Sequence, residues 1–127
     1  MKRLVPTVFA VVCLMAASPA LSGSAVVKAT GVITPSGKGY LLTVTNTGRK
    51  AIPCFRFRPT FGVKITSTAF GHLAFNTIEA VGPARGKKTR VRFRTKQAYP
   101  NKGGGTVELA ENSCTFPGAR VKVTGPF

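Results

Sequence analysis

Residues 40–58 read YLLTVTNTGRKAIPCFRFR and carry the pattern from which the fold can be predicted. Leu42 and Val44 alternate with threonines, as in a β-strand that has one buried face. The Asn-Thr-Gly of residues 46–48 then tolerates the left-handed backbone that a tight turn needs. Over residues 55–58 phenylalanine and arginine alternate, so one face of the second strand is aromatic and the other cationic. The stretch therefore predicts two β-strands joined by a turn.

Alternation of the same kind recurs along the chain, between turns rich in glycine and proline. Residues 87–95 (KKTRVRFRT) are the most regular case, with Val91 and Phe93 on one face and three arginines on the other. Seven or eight such short strands at roughly even spacing, without a helix-length pattern between them, predict an all-β sandwich or barrel. Residues 72–80 leave a short strand and a helical turn as alternatives, and we expect a strand or an irregular crossover.

The amino-terminal residues have the composition of an export signal. Lys2 and Arg3 precede an apolar run over residues 4–17, and small residues follow that run. The run is shorter than the roughly 20 residues needed to span a bilayer. We therefore expect a cleaved signal peptide, no integral membrane span after cleavage, and a secreted or extracytoplasmic protein.

Two cleavage points fit the small residues, one after Ala20 and one after Ala25. Strand-like sequence begins at Val26, which favours Ala25. The predicted organisation is thus a signal peptide over residues 1–25 and one domain over residues 26–127, within the usual size range of a single domain.

Cys54 and Cys114 are the cysteines that remain after cleavage. In an exported protein such a pair predicts one disulfide, and no CxxC spacing favours a metal or redox site instead. Strand alternation puts Cys54 on the face of Arg56 and Arg58, opposite the phenylalanines. We therefore expect the bridge at a strand end or rim of the sheet.

A family resemblance is carried by two segments. Residues 41–48 (LLTVTNTG) resemble the strand and Asn-x-Gly turn of bacterial immunoglobulin-like extracellular modules of the cell-adhesion-related type, and residues 82–95 are similar to the Pro-Gly turn and alternating strand that follow in them. The resemblance implies an antiparallel immunoglobulin-like sandwich of about seven to eight strands that acts as a spacer or adhesive module. In that order strand 88–95 would pair with 40–46, while 51–58 would lie in the opposite sheet beside 119–124.

Charge is the strongest functional signal. The chain has 19 Lys and Arg against three Glu and no Asp, and removal of Lys2 and Arg3 would take the formal net charge from +16 to +14. Such a field attracts polyanions, and self-repulsion favours a monomer. Arginine forks match phosphate, sulfate and carboxylate groups. The candidate polyanion-binding residues are Arg56, Arg58, Lys87, Lys88, Arg90, Arg92 and Arg94.

The sequence argues against catalysis. His72 is the single histidine, no nucleophile motif accompanies it, and Glu108 and Glu111 have opposite strand parity, unlike the paired carboxylates of a glycosidase. Residues 82–89 are similar to a phosphate-binding loop but lack the helix that such a loop begins. We expect a non-enzymatic protein without metal or cofactor, and nothing indicates specific nucleic-acid recognition.

Two hypotheses from different classes follow. In the first, a secreted module binds or adheres to anionic extracellular or cell-surface polymers through its Arg and Lys faces. In the second, a structural or protein-interaction module carries charge only as a solvated surface that discourages aggregation. Aromatic side chains that stack on single-stranded nucleic acid would have to come from the surface candidates Tyr40, Phe61, Phe70 or Tyr99, and the other phenylalanines are expected in the core.

Overall fold

The computed structural model describes residues 27–100 and 103–126, and within these ranges the chain forms nine β-strands and no helix. The all-β prediction is therefore confirmed, whereas the expected signal peptide lies outside the described residues. The strands are β1 (Ala29–Ser36), β2 (Gly39–Asn46), β3 (Cys54–Pro59), β4 (Ile65–Thr68), β5 (His72–Ala74), β6 (Thr77–Val81), β7 (Lys88–Thr95), β8 (Gly105–Leu109) and β9 (Ala119–Thr124).

The nine strands form one sheet in the order β4-β7-β2-β1-β9-β8-β3-β6-β5. Every neighbouring pair is antiparallel except β1 and β9, which run parallel, so the predicted antiparallel arrangement is corrected to a mixed sheet. The edge strands β4 and β5 contact each other. The sheet thus curls back on itself into a nearly barrel-shaped layer around a single core.

The core consists of the inward residues of the alternating strands. Leu42, Val44 and Val91 are fully buried from one part of the sheet, and Phe55 and Phe57 from the other. The rings of Phe57 and Phe93 have centroids 5.3 Å apart although β3 and β7 are far from each other in the strand order. Burial of these large apolar side chains is what holds the curled sheet closed.

Strand pairing agrees with the predicted order at one point and corrects it at another. β7 pairs with β2, as expected, with Leu42 opposite Val91. β3, however, does not lie beside β9, because β8 pairs with both and separates them. The reason is that β8 and β9 are consecutive along the chain, joined by the loop 110–118, and consecutive strands usually pair as neighbours.

The disulfide predicted between Cys54 and Cys114 is present. It joins the first residue of β3 to the loop between β8 and β9, with the two Cα atoms 5.1 Å apart. The bond therefore lies at a strand end, as strand alternation predicts. We call this end of the sheet, with the loops 47–53, 82–87 and 110–118, the disulfide end.

Asn46 explains the Asn-Thr-Gly signature at the disulfide end. It is buried, its Nδ2 donates to the carbonyls of Lys50 (2.9 Å) and Pro83 (3.1 Å), and its Oδ1 accepts from the amide of Gly48 (2.9 Å). One side chain thus closes its own turn and ties it to the β6–β7 loop, which satisfies backbone groups that would otherwise be buried without partners.

Residues 72–80 form a hairpin, not a crossover: β5 and β6 pair, with Ala74 opposite Thr77. The two connecting residues, Phe75 and Asn76, both have positive φ (53° and 60°). Asn76 Nδ2 donates to the Val63 carbonyl (2.9 Å), and its Oδ1 accepts from the Ile65 amide (2.7 Å). The hairpin is thereby fixed to the β3–β4 loop.

Candidate functional site

The outer face of β7 carries a row of four cations. Lys88, Arg90, Arg92 and Arg94 are exposed and alternate with residues that face the core. Neighbours in the row stand about 7 Å apart along the pleated strand. The three glutamates of the chain lie on β6, on β8 and just after β8, so none stands on β7 or on the strands β2 and β4 beside it. We call these four residues the β7 row.

Hydroxyl groups line the β7 row on its β2 side. The register places Lys88 opposite Thr45 and Arg90 opposite Thr43. Side chains directly opposite each other on one face are close enough to contact the same ligand. An anionic group bound by an arginine guanidinium could therefore also accept a hydrogen bond from a threonine hydroxyl.

At one end of the β7 row lies an open cleft of about 520 Å³ between the β1–β2 turn, β4 and β7. A Cβ at Gly39 would overlap the Phe93 carbonyl oxygen, so glycine allows this turn to approach β7. The cleft contains cations, hydroxyls and no carboxylate, which is the chemistry of an oxyanion site. Its polar lining side chains are Lys38, Arg92, Arg94, Ser36, Ser67, Thr68 and Tyr40.

The β3 arginines have a different environment. Arg56 Nε lies 3.8 Å from Glu79 Oε1, and its guanidinium carbon lies 4.1 Å from the centroid of the Phe116 ring. The register also places Arg56 directly opposite Glu108 on β8, and Arg120 opposite the same glutamate. Positive and negative side chains therefore alternate across this face, and the two glutamates compensate part of its charge.

The structure thus separates the predicted site residues into two faces. Lys88 and the three β7 arginines lie together. Lys87 precedes them in the β6–β7 loop, where its backbone carbonyl accepts a hydrogen bond from the backbone N–H of Asn46 (3.0 Å). Arg56 and Arg58 lie on the outer face of β3, five places away in the strand order. The open cleft beside the β1–β2 turn was not predicted from the sequence, although the glycine-rich turn before β2 indicates a hairpin that places Lys38 next to β7.

Of the aromatic residues expected at the surface, Tyr99 is buried and Phe61 is exposed. Tyr99 is buried, its hydroxyl donates to the Gly104 carbonyl (2.9 Å), and its ring packs edge-on against Tyr40 at 4.9 Å. Burial, and secondarily the neighbouring Tyr40, raises the pKa of Tyr99 well above its usual range. Tyr99 is therefore not available for stacking, whereas Phe61 is completely exposed as expected.

Phe75 corrects the expectation that the remaining phenylalanines lie in the core. It is 99% exposed at the tip of the β5–β6 turn. The strand alternation of residues 73 and 75 suggested an inward side chain, but the chain turns at Phe75, so the alternation stops there. The only sequence signal was Asn76, a residue that favours left-handed turns.

Replacing Phe75 by asparagine is expected to raise the free energy of unfolding by about 1 kcal/mol, because asparagine tolerates the left-handed backbone better than an aromatic residue. Denaturant titration would measure the change. Phe61→Asn is the matched control, since it removes an equally exposed ring from a residue without positive φ. Equal stability of the two variants would contradict the argument.

Within residues 27–100 and 103–126, no three His, Cys, Asp or Glu side chains are grouped as a metal ion would require. The same part of the chain contains no helix able to cross a membrane. The chain matches no family model, no curated protein and no solved structure.

Proposed function

We propose that this protein is a non-enzymatic, extracytoplasmic immunoglobulin-like module that binds or adheres to anionic polymers through the β7 row. The observation that carries the proposal is four cations in line on one strand, beside hydroxyls and with no glutamate on that strand or on its neighbours β2 and β4. A linear polymer with regularly spaced phosphate, sulfate or carboxylate groups suits such a row. The disulfide between Cys54 and Cys114 supports an oxidising compartment.

The strand order supports the immunoglobulin-like part of the proposal. Immunoglobulin constant-type domains have the strands A, B, E and D in one sheet and C, F and G in the other. The orders β1-β2-β7-β4 and β3-β8-β9 correspond to these two sets. The β5–β6 hairpin is an addition between the fourth strand and β7, and it extends the second set beyond β3.

The test is the affinity of the purified protein for duplex DNA and for heparin as a function of salt. Each neutralised DNA phosphate adds about −0.9 to the slope of log affinity against log salt, so four contacts give a slope of about −3.6. The triple variant Arg90→Gln, Arg92→Gln, Arg94→Gln is expected to flatten the slope by about 2.7 and to weaken binding at low salt by at least about tenfold. Its melting temperature should not change, since all three side chains are exposed.

The matched control is Arg56→Gln, Arg58→Gln, Arg120→Gln, which removes the same charge from the other face. Because Arg56 and Arg120 already face glutamates, we expect this variant to lose much less affinity than the β7 triple variant. Equal losses would mean that net charge alone attracts the polymer. Little binding by the unmodified protein even at low salt would favour the structural or protein-interaction module instead.

A further inference from the structure

Two phenylalanines protrude together from the end of the sheet opposite the disulfide. Phe61 lies in the β3–β4 loop and Phe75 in the β5–β6 turn, and they are 100% and 99% exposed. The β1–β2 turn and the segment that follows β7 lie at the same end. We call it the aromatic end. Both phenylalanines have large apolar side chains that lie almost entirely in solvent and contribute nothing to the core.

The two rings are presented by a fixed framework. Asn76, next to Phe75, holds the backbone of Val63 and Ile65 on the other loop through two hydrogen bonds. The Gln97 side chain donates to the carbonyl of Gly62, which follows Phe61. These hydrogen bonds tie the two loops to each other and to the segment after β7.

The backbone at Phe75 gives a second, independent reason to consider function. An aromatic residue at φ 53° is disfavoured relative to glycine or asparagine, and nothing in the core requires this side chain. An unfavourable backbone conformation at a residue without a packing role is a reason to propose that its side chain acts outside the fold.

Cations surround the exposed rings. Arg58 lines a cleft of about 450 Å³ with Phe61 and Lys64, and a cleft of about 220 Å³ with Phe75. Glu79 also lines the second cleft, but its carboxylate faces Arg56. Lys38 in the β1–β2 turn and Lys96 after β7 add positive charge at the same end. The aromatic end therefore combines two exposed apolar side chains with several cationic side chains near them.

From this arrangement we infer that the aromatic end docks on an anionic lipid surface. Phe61 and Phe75 enter the boundary between headgroups and acyl chains, and Arg58, Lys64 and Lys96 contact lipid phosphates. Amphipathic helices at membrane surfaces combine basic residues with phenylalanine, and anionic leaflets attract clustered Lys and Arg, so the same chemistry suits these loops. A protein partner would need a contiguous apolar patch at the centre of its interface. Two separate phenylalanine side chains with cations between them suit a fluid lipid surface, which can surround each ring individually.

The inference is tested by co-sedimentation with vesicles of phosphatidylcholine and phosphatidylglycerol. The double variant Phe61→Ser, Phe75→Asn is expected to bind these vesicles at least about tenfold more weakly than the unmodified protein, because the apolar insertion is lost. Phe70→Ser is the matched control, since Phe70 is 44% exposed in the β4–β5 loop, away from the aromatic end. Binding of that control should equal the unmodified protein.

A spectroscopic reading is available because the chain contains no tryptophan. Phe75→Trp should show an emission shift to shorter wavelength with the anionic vesicles and no shift with heparin. The double variant should keep its DNA affinity. Failure of the lipid-docking inference can therefore be distinguished from failure of the proposal that the β7 row binds polymers. Unchanged vesicle binding by the double variant would overturn the inference. So would a tryptophan shift produced by heparin alone, which would make the aromatic end a polymer site.

Discussion

The double variant Cys54→Ser, Cys114→Ser is expected to lose about 4 kcal/mol of unfolding free energy on the chain-entropy model. The bond closes a loop with a sequence separation of 60 residues, which restricts the unfolded chain far more than the folded one. That loss is a large fraction of the ~5–15 kcal/mol that stabilises a typical domain. Denaturant titration under oxidising conditions measures it as a lower midpoint.

Reduction of the unmodified protein provides the control, because breaking the bond without changing the sequence should reproduce the loss. The double variant should then be insensitive to reductant. A loss below about 1 kcal/mol in both experiments would show that the unfolded chain keeps the two cysteines close without the bond. The bond also holds the loop that carries Phe116, whose ring covers Arg56. Removal of the disulfide should therefore increase the share of polymer binding that depends on Arg56.

Phe57→Ala is the second large effect, with an expected loss of about 3–5 kcal/mol. Phe57 is 0% exposed, and its ring contacts Phe93 across the interior. The change removes apolar burial and leaves a cavity at the point where the two parts of the sheet meet. Thermal and denaturant unfolding would measure the loss, and Phe57→Leu, with a smaller expected loss, covers the case in which the alanine variant does not fold.

Phe61→Ala tests the same change of residue type on the surface. Because Phe61 is completely exposed, its replacement should alter the unfolding free energy by less than about 0.5 kcal/mol. Similar losses at positions 57 and 61 would contradict the placement of the core. The pair therefore separates burial from any general effect of removing an aromatic residue.

Much of the fold follows from local pattern. Alternation is a property of a single strand, so the burial of Leu42, Val44 and Val91 could be read directly from the sequence. The disulfide was predictable because two cysteines remain beyond the expected signal peptide and strand alternation limits where Cys54 can point. These features need no knowledge of which strands are neighbours.

The candidate site was less predictable because it depends on long-range pairing. Arg56 and Arg92 look equivalent in the sequence, and only the register shows that Arg56 lies between Glu79 and Glu108 whereas Arg92 faces no carboxylate. The β5–β6 turn was missed for a different reason. A two-residue turn with two positive φ values normally contains glycine, and a Phe-Asn pair gives little sign of it.

The parallel pairing of β1 with β9 determines how this domain would respond to mechanical tension. β1 begins at the disulfide end and β9 finishes at the aromatic end, with Val123 opposite Gly31. A pull on the two flanking segments therefore slides the strands along each other and loads their hydrogen bonds together. An antiparallel pair pulled from one end would instead open one bond at a time. A domain that adheres to a surface while its chain is stretched would gain resistance to force from this single pair of strands.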